Sequence, residues 1–477
     1  MSKKTFVFLS ILFCFLDGFS QHLSISSNKR YIETSAKQPF MWIGDTAWEL
    51  FHRLNREEAT EYLSKRAKQG FTVIQAVVLA ESDGLRTPNP YGDIPLIDLS
   101  PLKPNESYFK HVDFIIDKAE ELGLHIALLP TWADKVFSDR PGVGPVVFDK
   151  ENAAFFGEFL GKRYQDKPVI WVLGGDRNIA NSEVMDIWRA MGFGLKKGDK
   201  SNHLITYHPA GEASSSQWFQ NESWIDFNMY QSGHAHRFME VYKLAENDYS
   251  KRPVKPFLEA EPAYEDIPVQ FWTFINWDSE KKVPDSVLNK DGLLVVKDHF
   301  KKGYFTDYDV RVHAYWNFLA GACGYTYGHN AVWQMFKKGG PSVIPCFTDW
   351  REALDRPGAN DMQHVRTLFE SRPFSKLIPD QSMILGKNPQ DSSHIRAARA
   401  DDGSFSLIYL PSAKPLQINT TKIKGTKTIA WWYNPRNGKA LKIGEFSKST
   451  NTSFSSPEKD RDWVLVLDSN TAKLKQL

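Results

Sequence analysis

Eight apolar, strand-like runs recur along the chain, with amphipathic helix-like stretches between the early ones. They cover residues 41–45 (MWIGD), 72–80 (TVIQAVVLA), 125–132 (HIALLPTW), 168–176 (PVIWVLGGD), 204–209 (LITYHP), 226–231 (DFNMYQ), 256–261 (PFLEAE) and 324–330 (GYTYGHN). Helical patterning falls around 56–69, 108–122, 152–164 and 183–193. Strands alternating with helices require right-handed crossovers and a parallel sheet, and eight repeats close into a barrel. An open doubly wound sheet is the alternative, but no glycine-rich phosphate fingerprint follows the first strand. The sequence therefore predicts an α/β fold, a (β/α)8 TIM barrel.

After about residue 377 the texture changes to short alternating runs such as HIRAARADDGSFSLIYLPS, TIAWWYNPRNGKA and DWVLVLD. Asp-Gly, Asn-Pro and Asn-Gly turns separate them, the pattern of antiparallel hairpins. A small C-terminal antiparallel β-sandwich over 381–477 is expected, after a barrel over 21–380. The first residues, MSKKTFVFLSILFCFLDGFS, combine two lysines, an apolar run and small residues at Gly18 and Ser20. This reads as a signal peptide over 1–20 and predicts export to the periplasm, cell surface or exterior. Cys14 leaves with it, and Cys323 and Cys346 remain, as a disulfide or as two buried thiols. Neither sits in a His/Cys neighbourhood suited to a metal, and no cofactor is expected.

Lys and Arg total 59 against 57 Asp and Glu, with no block of like charge, which argues against nucleic acid as a partner. Insertion of the mature chain into a membrane is not expected either, and a monomer is. The chemistry should lie at the strand C-terminal ends, because that face of such barrels carries the site. Asp176 closes the fourth run and Glu261 the seventh, and strands four and seven face each other across the mouth. Two facing acids suit glycoside hydrolysis, one protonating the leaving oxygen and the other attacking the anomeric carbon or activating water. Glu259 rivals Glu261, since strand alternation turns both the same way. Asp45, Trp132, His208, Tyr230, Gln231, His329 and Trp333 also fall at or just beyond strand ends and are candidate substrate-binding residues. Asp45 and Asp176 could instead cap the helices that follow them, and a lone His such as His208 or His329 is commonly structural.

The runs IGDTAWELFHRL, LLPTWADKV, WVLGGDRN, ITYHPAGEASSSQWF, EPAYED, YDVRVHAYW, GYTYGHNAVWQM and LFESRPFSKLIPDQS resemble glycoside hydrolase family 140. The resemblance runs from about Trp42 to the C-terminus. It implies a (β/α)8 barrel with a C-terminal β-sandwich, and an apiosidase that cleaves apiose from the galacturonan backbone of the pectin rhamnogalacturonan II. It also implies that Asp176 is the acid/base and Glu261 the nucleophile, with a pectic oligosaccharide as substrate. The chain departs from the family in carrying Glu259-Ala260 where Asp-Gly is usual. It departs from the wider barrel glycosidases in replacing Asn-Glu on strand four by Gly175-Asp176, which leaves Asn178 as a substitute for the Asn that holds a sugar hydroxyl. The sandwich of this family is often labelled collagen-binding, and nothing in 381–477 supports collagen. Two other readings stay open: a glycosidase for another furanose such as arabinofuranose, or a non-catalytic exported glycan-binding protein stacking sugars on Trp132, Trp218 and Trp333. The long segment 262–309, with Phe271, Trp272 and Trp277, is expected to form a loop over the site.

Overall fold

The computed structural model describes residues 22–138, 144–277 and 282–477. The expected signal peptide, 1–20, lies outside the described residues. Eight strands form the barrel: β1 (Trp42–Thr46), β2 (Val73–Leu79), β3 (His125–Thr131), β4 (Val169–Gly174), β5 (Ile205–His208), β6 (Asn228–Gln231), β7 (Phe257–Glu261) and β8 (Gly324–Tyr327). The hydrogen-bonded order is β5-β4-β3-β2-β1-β8-β7-β6, with a two-residue strand, Ala213–Ser214, antiparallel on the β6 edge. Between β5 and β6 the sheet closes through the Asp226 amide, which donates to the Ile205 carbonyl at 2.9 Å, and through Thr206 Oγ1, which donates to the Phe227 carbonyl at 2.7 Å.

The crossover helices are α1 (Arg56–Lys68), α2 (Glu106–Glu121), α3 (Lys150–Tyr164), α4 (Ser182–Gly198), α5 (Ser216–Phe219), α6 (Val241–Ser250), α7 (Asp307–Leu319) and α8 (Pro357–Glu370). Local sequence sets their starts. Asn55 and Glu58 make a reciprocal capping box at α1, and Asp149 and Asn152 do the same at α3, satisfying amides that the first helical turn leaves unpaired. Residues alternate between the two faces of the strands. Trp42, Val73, Val77, Leu129, Ile170, Val172, Met229, Leu258 and Ala260 fill the lumen, whereas Ile43, Tyr230, Phe257 and Tyr325 pack outward against the helices. An N-terminal hairpin, Leu23–Ile25 with Ile32–Thr34, adds Leu23 and Ile32 to the lumen cluster.

The C-terminal unit is a six-stranded antiparallel sheet faced by a two-stranded one. Its strands are β9 (Leu377–Pro379), β10 (Arg396–Ala400), β11 (Phe405–Leu410), β12 (Leu416–Ile418), β13 (Lys427–Tyr433), β14 (Ala440–Ser447), β15 (Thr452–Phe454) and β16 (Trp463–Ser469). The large sheet runs β9-β10-β11-β16-β13-β14, and β12 pairs with β15. One face of the large sheet, with Tyr409, Trp431 and Val466, packs on α7 and α8; the other, with Ile408, Leu465 and Leu467, packs on Leu416, Ile418 and Phe454. Cys323 and Cys346 are separate buried thiols, so of the two readings of this pair the unpaired one holds. Among the described residues no helix is long and apolar enough to cross a membrane.

Candidate active site

The run WVLGGD ends β4 in a turn that only this residue order permits at low cost. Gly174, Gly175 and Asp176 all have positive φ, at 88°, 114° and 54°. A Cβ on Gly174 would stand 2.3 Å from the His208 carbonyl oxygen, and one on Gly175 would stand 2.7 Å from the Trp132 ring. The two glycines therefore let the backbone pass between β5 and Trp132, and Asp176 takes a left-handed conformation that costs about 1 kcal/mol. The gain is placement: the Gly175 amide bonds the His208 carbonyl at 3.0 Å, and Asp176 emerges partly exposed at the mouth beside the His208 strand end.

Glu261 meets the imidazole of the same histidine. His208 Nε2 stands 3.2 Å from Glu261 Oε2, and His234 Nε2 hydrogen-bonds Glu261 Oε1 at 3.2 Å. Burial pushes this carboxyl up, but the two imidazoles outweigh burial and hold it at about 2, so it is ionised at neutral pH. Trp48 and Trp132, with ring centroids 5.2 Å apart, flank His208 at 5.5 and 6.1 Å. Tyr264 lies against His234 at 4.6 Å. Glu81, just beyond β2, completes the set. Desolvation pushes its carboxyl well up, and the charges of Glu49, Asp176, Asp134 and Glu261 push it further. A carboxyl of raised proton affinity thus stands within reach of the fields of both expected catalytic carboxylates.

The other expected residues separate by strand parity. Asp45 and Tyr230 are corrections, because both face outward from the barrel. Asp45 Oδ2 accepts from Arg66 Nε at 2.6 Å and from the Tyr62 hydroxyl at 2.5 Å beneath α1, and burial raises its carboxyl despite the arginine. The Tyr230 hydroxyl donates to Asn317 on α7. His329 acts structurally: its Nδ1 accepts the Ala331 amide at 3.0 Å and its Nε2 meets Asp266 at 3.1 Å. Asn178 Oδ1 accepts the Ala210 amide at 3.1 Å, tying the loop after β4 to the loop after β5. Gln231 pairs in register with Glu261, and Trp333 joins Trp48 and Trp132 in one cluster, so both stay beside the mouth. Trp218 packs with the outer core instead.

Strand-end reading overlooked Trp48, Glu81, His234 and Tyr264. Glu81 carried a usable signal, since it lies two residues past β2. Trp48 carried the same signal two residues past β1, whereas His234 and Tyr264 lie three residues past β6 and β7 in loops that no periodicity marks. The described residues of 262–306 do pack at the mouth: the Gln270 amide donates to the His234 carbonyl at 2.8 Å, and Ile275, Val283, Val287 and Leu294 belong to the cluster that holds Trp132 and Trp333. Phe271 stands 6.1 Å from His234, and Trp272 and Trp277 are 40% and 37% exposed. Among the described residues no three His, Cys, Asp or Glu side chains are arranged to hold a metal ion.

Residues 26–376 match the family described as "Apiosidase-like, catalytic domain", and residues 378–468 match a "Putative collagen-binding domain of a collagenase". A solved structure described as "Glycoside hydrolase" is 31% identical, with TM-score 0.81, over 95% of this chain and 98% of its own. A glycoside hydrolase family 5 protein from Bacteroides vulgatus is 30% identical, with TM-score 0.81, over 95% of each chain. A putative glycoside hydrolase from the same organism, 12% identical over 95% of this chain and 83% of its own, shares the fold at TM-score 0.60. No curated protein matches.

Proposed function

Since the chain belongs to the apiosidase-like catalytic family and is a glycoside hydrolase, we propose that it removes apiose from the galacturonan of rhamnogalacturonan II by a retaining mechanism. The observation that carries the proposal is an ionised Glu261 held by His208 and His234, with Asp176 next to the residue bonded to the His208 carbonyl and both acids acting on Glu81.

In this reading Glu261 attacks the anomeric carbon, and its low proton affinity keeps it anionic at neutral pH. Asp176 donates its proton to the leaving oxygen of the galacturonan, then deprotonates the water that releases apiose from Glu261. A retaining pair stands about 5–5.5 Å apart, which leaves no room for a water between the carboxylate and the sugar. The Trp48–Trp132 pair gives the sugar an apolar wall, and the loop carrying Trp272 and Trp277 shapes the leaving-group side. The protein acts after export, on pectic oligosaccharide.

Incubation with apiose-bearing pectic oligosaccharide, and chromatography of the released sugar, tests this. Free apiose is the expected product. Release of arabinose alone, or of no sugar from any furanoside, overturns the proposal.

A further inference from the structure

Strict alternation along β7 would turn Glu259 and Glu261 to the same side, and the structure does not. Phe257 and Glu259 face outward, Leu258 and Ala260 face the lumen, and Glu261 turns into the mouth. A β-bulge makes the difference. Glu259 pairs with Tyr230 and Glu261 with the very next residue, Gln231, so two residues of β7 advance against one of β6. A bulge leaves ladder groups unpaired, and those groups must find partners elsewhere.

Both partners are buried side chains on opposite sides of the strand. From inside the barrel, Gln75 Nε2 donates to the Ala260 carbonyl at 2.9 Å. From outside, Glu259 Oε1 accepts the Ser232 amide at 3.2 Å. The next two residues bind the bulge as well: the Gly233 amide donates to the Glu261 carbonyl at 3.0 Å, and His234 holds the Glu261 carboxylate. Three successive residues after β6 are thus stitched to Glu259 and Glu261 of β7. Glu259 begins the row, and the Glu261–His234 contact ends it.

We propose that Glu259 and Gln75 are positioning residues that clamp this bulge, aiming Glu261 at the sugar and seating His234 on it. The assignment rests on Glu261 being the nucleophile. Glu259 needs only an acceptor oxygen for this role, and burial, which pushes its carboxyl up to about 8, keeps that acceptor uncharged at neutral pH. The groups that face it are Tyr230 from β6, Tyr325 from β8 and Ser232; Asp248 and Asp309 act on those tyrosines from α6 and α7. Those facing Glu261 are His208, His234, Tyr264 and Glu81.

The test compares Glu259→Gln, Glu259→Leu and Gln75→Leu by crystal structure and by the pH dependence of kcat/KM. Glu259→Gln keeps an acceptor oxygen and should keep wild-type kcat and wild-type geometry. Glu259→Leu and Gln75→Leu should each lower kcat by about 10²-fold with little change in KM, the scale expected for a reactive group displaced by about 1 Å. Their acid limbs should rise by about one to two pH units, because Glu261 loses the hold of His234. In their crystals the His234–Glu261 contact should be broken. If Glu259→Gln is as impaired as Glu259→Leu, the carboxyl is needed as an acid and the assignment is wrong. An unmoved Glu261 and His234 in Gln75→Leu overturns it without reference to any substrate, and an unchanged acid limb in the Leu variants overturns it even if they are less stable. A wild-type enzyme inactive on apiosides, with the bulge shifted in the Gln75→Leu crystal, would contradict the proposed substrate and leave the clamp standing.

Discussion

At the level of single residues, the two expected catalytic acids differ in what surrounds them. Glu261 has two imidazoles and is held at about 2, below its ordinary 4.5, so the stability it contributes is present above pH 4.5 and lost as pH falls toward 2. Glu261→Gln should abolish turnover of every substrate, whatever the leaving group. Asp176→Asn removes proton transfer, worth about 10²–10⁴-fold. An aryl apioside of low leaving-group pKa should still glycosylate that variant in a burst, with slow turnover that azide accelerates; equal loss on natural and activated substrates, without azide rescue, would exchange the roles assigned here. Glu259 has the opposite sign. Its carboxyl, raised to about 8, costs stability as pH climbs from 4.5 through 8, and Gln carries no such cost. The melting temperature of Glu259→Gln relative to wild type should therefore increase between about pH 5 and about pH 9, and a pH-independent difference would contradict the buried neutral acid. Strand-end position in the sequence picked out Asp176, Glu261, Trp132 and His208, which the structure gathers at one mouth. It also picked out Asp45 and Tyr230, which parity turns outward, and His329, which caps the turn after it.

Among the elements, β7 and the segment after it carry most of what the sequence left illegible. The eight strands were legible because a parallel strand buried on both faces reads as a continuous apolar run. The bulge was not, since LEAE over 258–261 alternates without a break and only the three-dimensional pairing with β6 shows the slip. Segment 262–306 was recognisable by length alone. Its described residues include 3₁₀ turns at Phe271–Thr273, Asp285–Val287 and Lys297–His299, and a row of buried apolar residues that anchors them at the mouth. Lys282 from this segment lies within the fields of Glu81 and Arg53, so the loop spans from β7 toward β1 and β2. With the loop anchored, its exposed tryptophans are free to meet sugar rings. Trp277→Ala should raise KM for the oligosaccharide about 5–30-fold, the loss of about 1–2 kcal/mol of stacking, and leave kcat on a small aryl apioside unchanged. An unchanged KM would make the loop a structural cover only.

For the whole molecule, the C-terminal sheet is part of the barrel's own packing. Tyr315 of α7 stacks on Tyr409 of β11 at 4.6 Å and 10°, and Trp316 Nε1 donates to the His394 carbonyl at 2.9 Å. Arg311 of α7 joins Asp462 at 2.9 Å to Asp361 of α8 at 2.6 Å, almost fully buried, and Arg372 holds Asp468 at 2.6 Å. Removing Arg311 takes the guanidinium away from buried Asp361 and leaves Asp462 only Arg436 at 3.1 Å and the Tyr409 hydroxyl at 3.1 Å. Arg311→Leu should destabilise the folded chain by about 3–5 kcal/mol, read by urea unfolding, and a loss below about 1 kcal/mol would show that the pair contributes little. The hairpin pattern of this unit was legible, but its dependence on α7 was not, because Arg311, Tyr315 and Trp316 read as ordinary residues of an amphipathic helix until their partners about 80–150 positions away are placed. The same helix and sheet frame the strand that presents Glu261, and the reaction it carries out has one decisive signature. Cleavage of an aryl apioside in the presence of methanol, followed by proton NMR of the methyl glycoside formed, reports whether Glu261 has been covalently occupied. A methyl apioside with the anomeric configuration of the substrate is the expected product; an inverted first product, or hydrolysis with no transfer to methanol and inverted stereochemistry, would contradict the assignment of Glu261 as nucleophile.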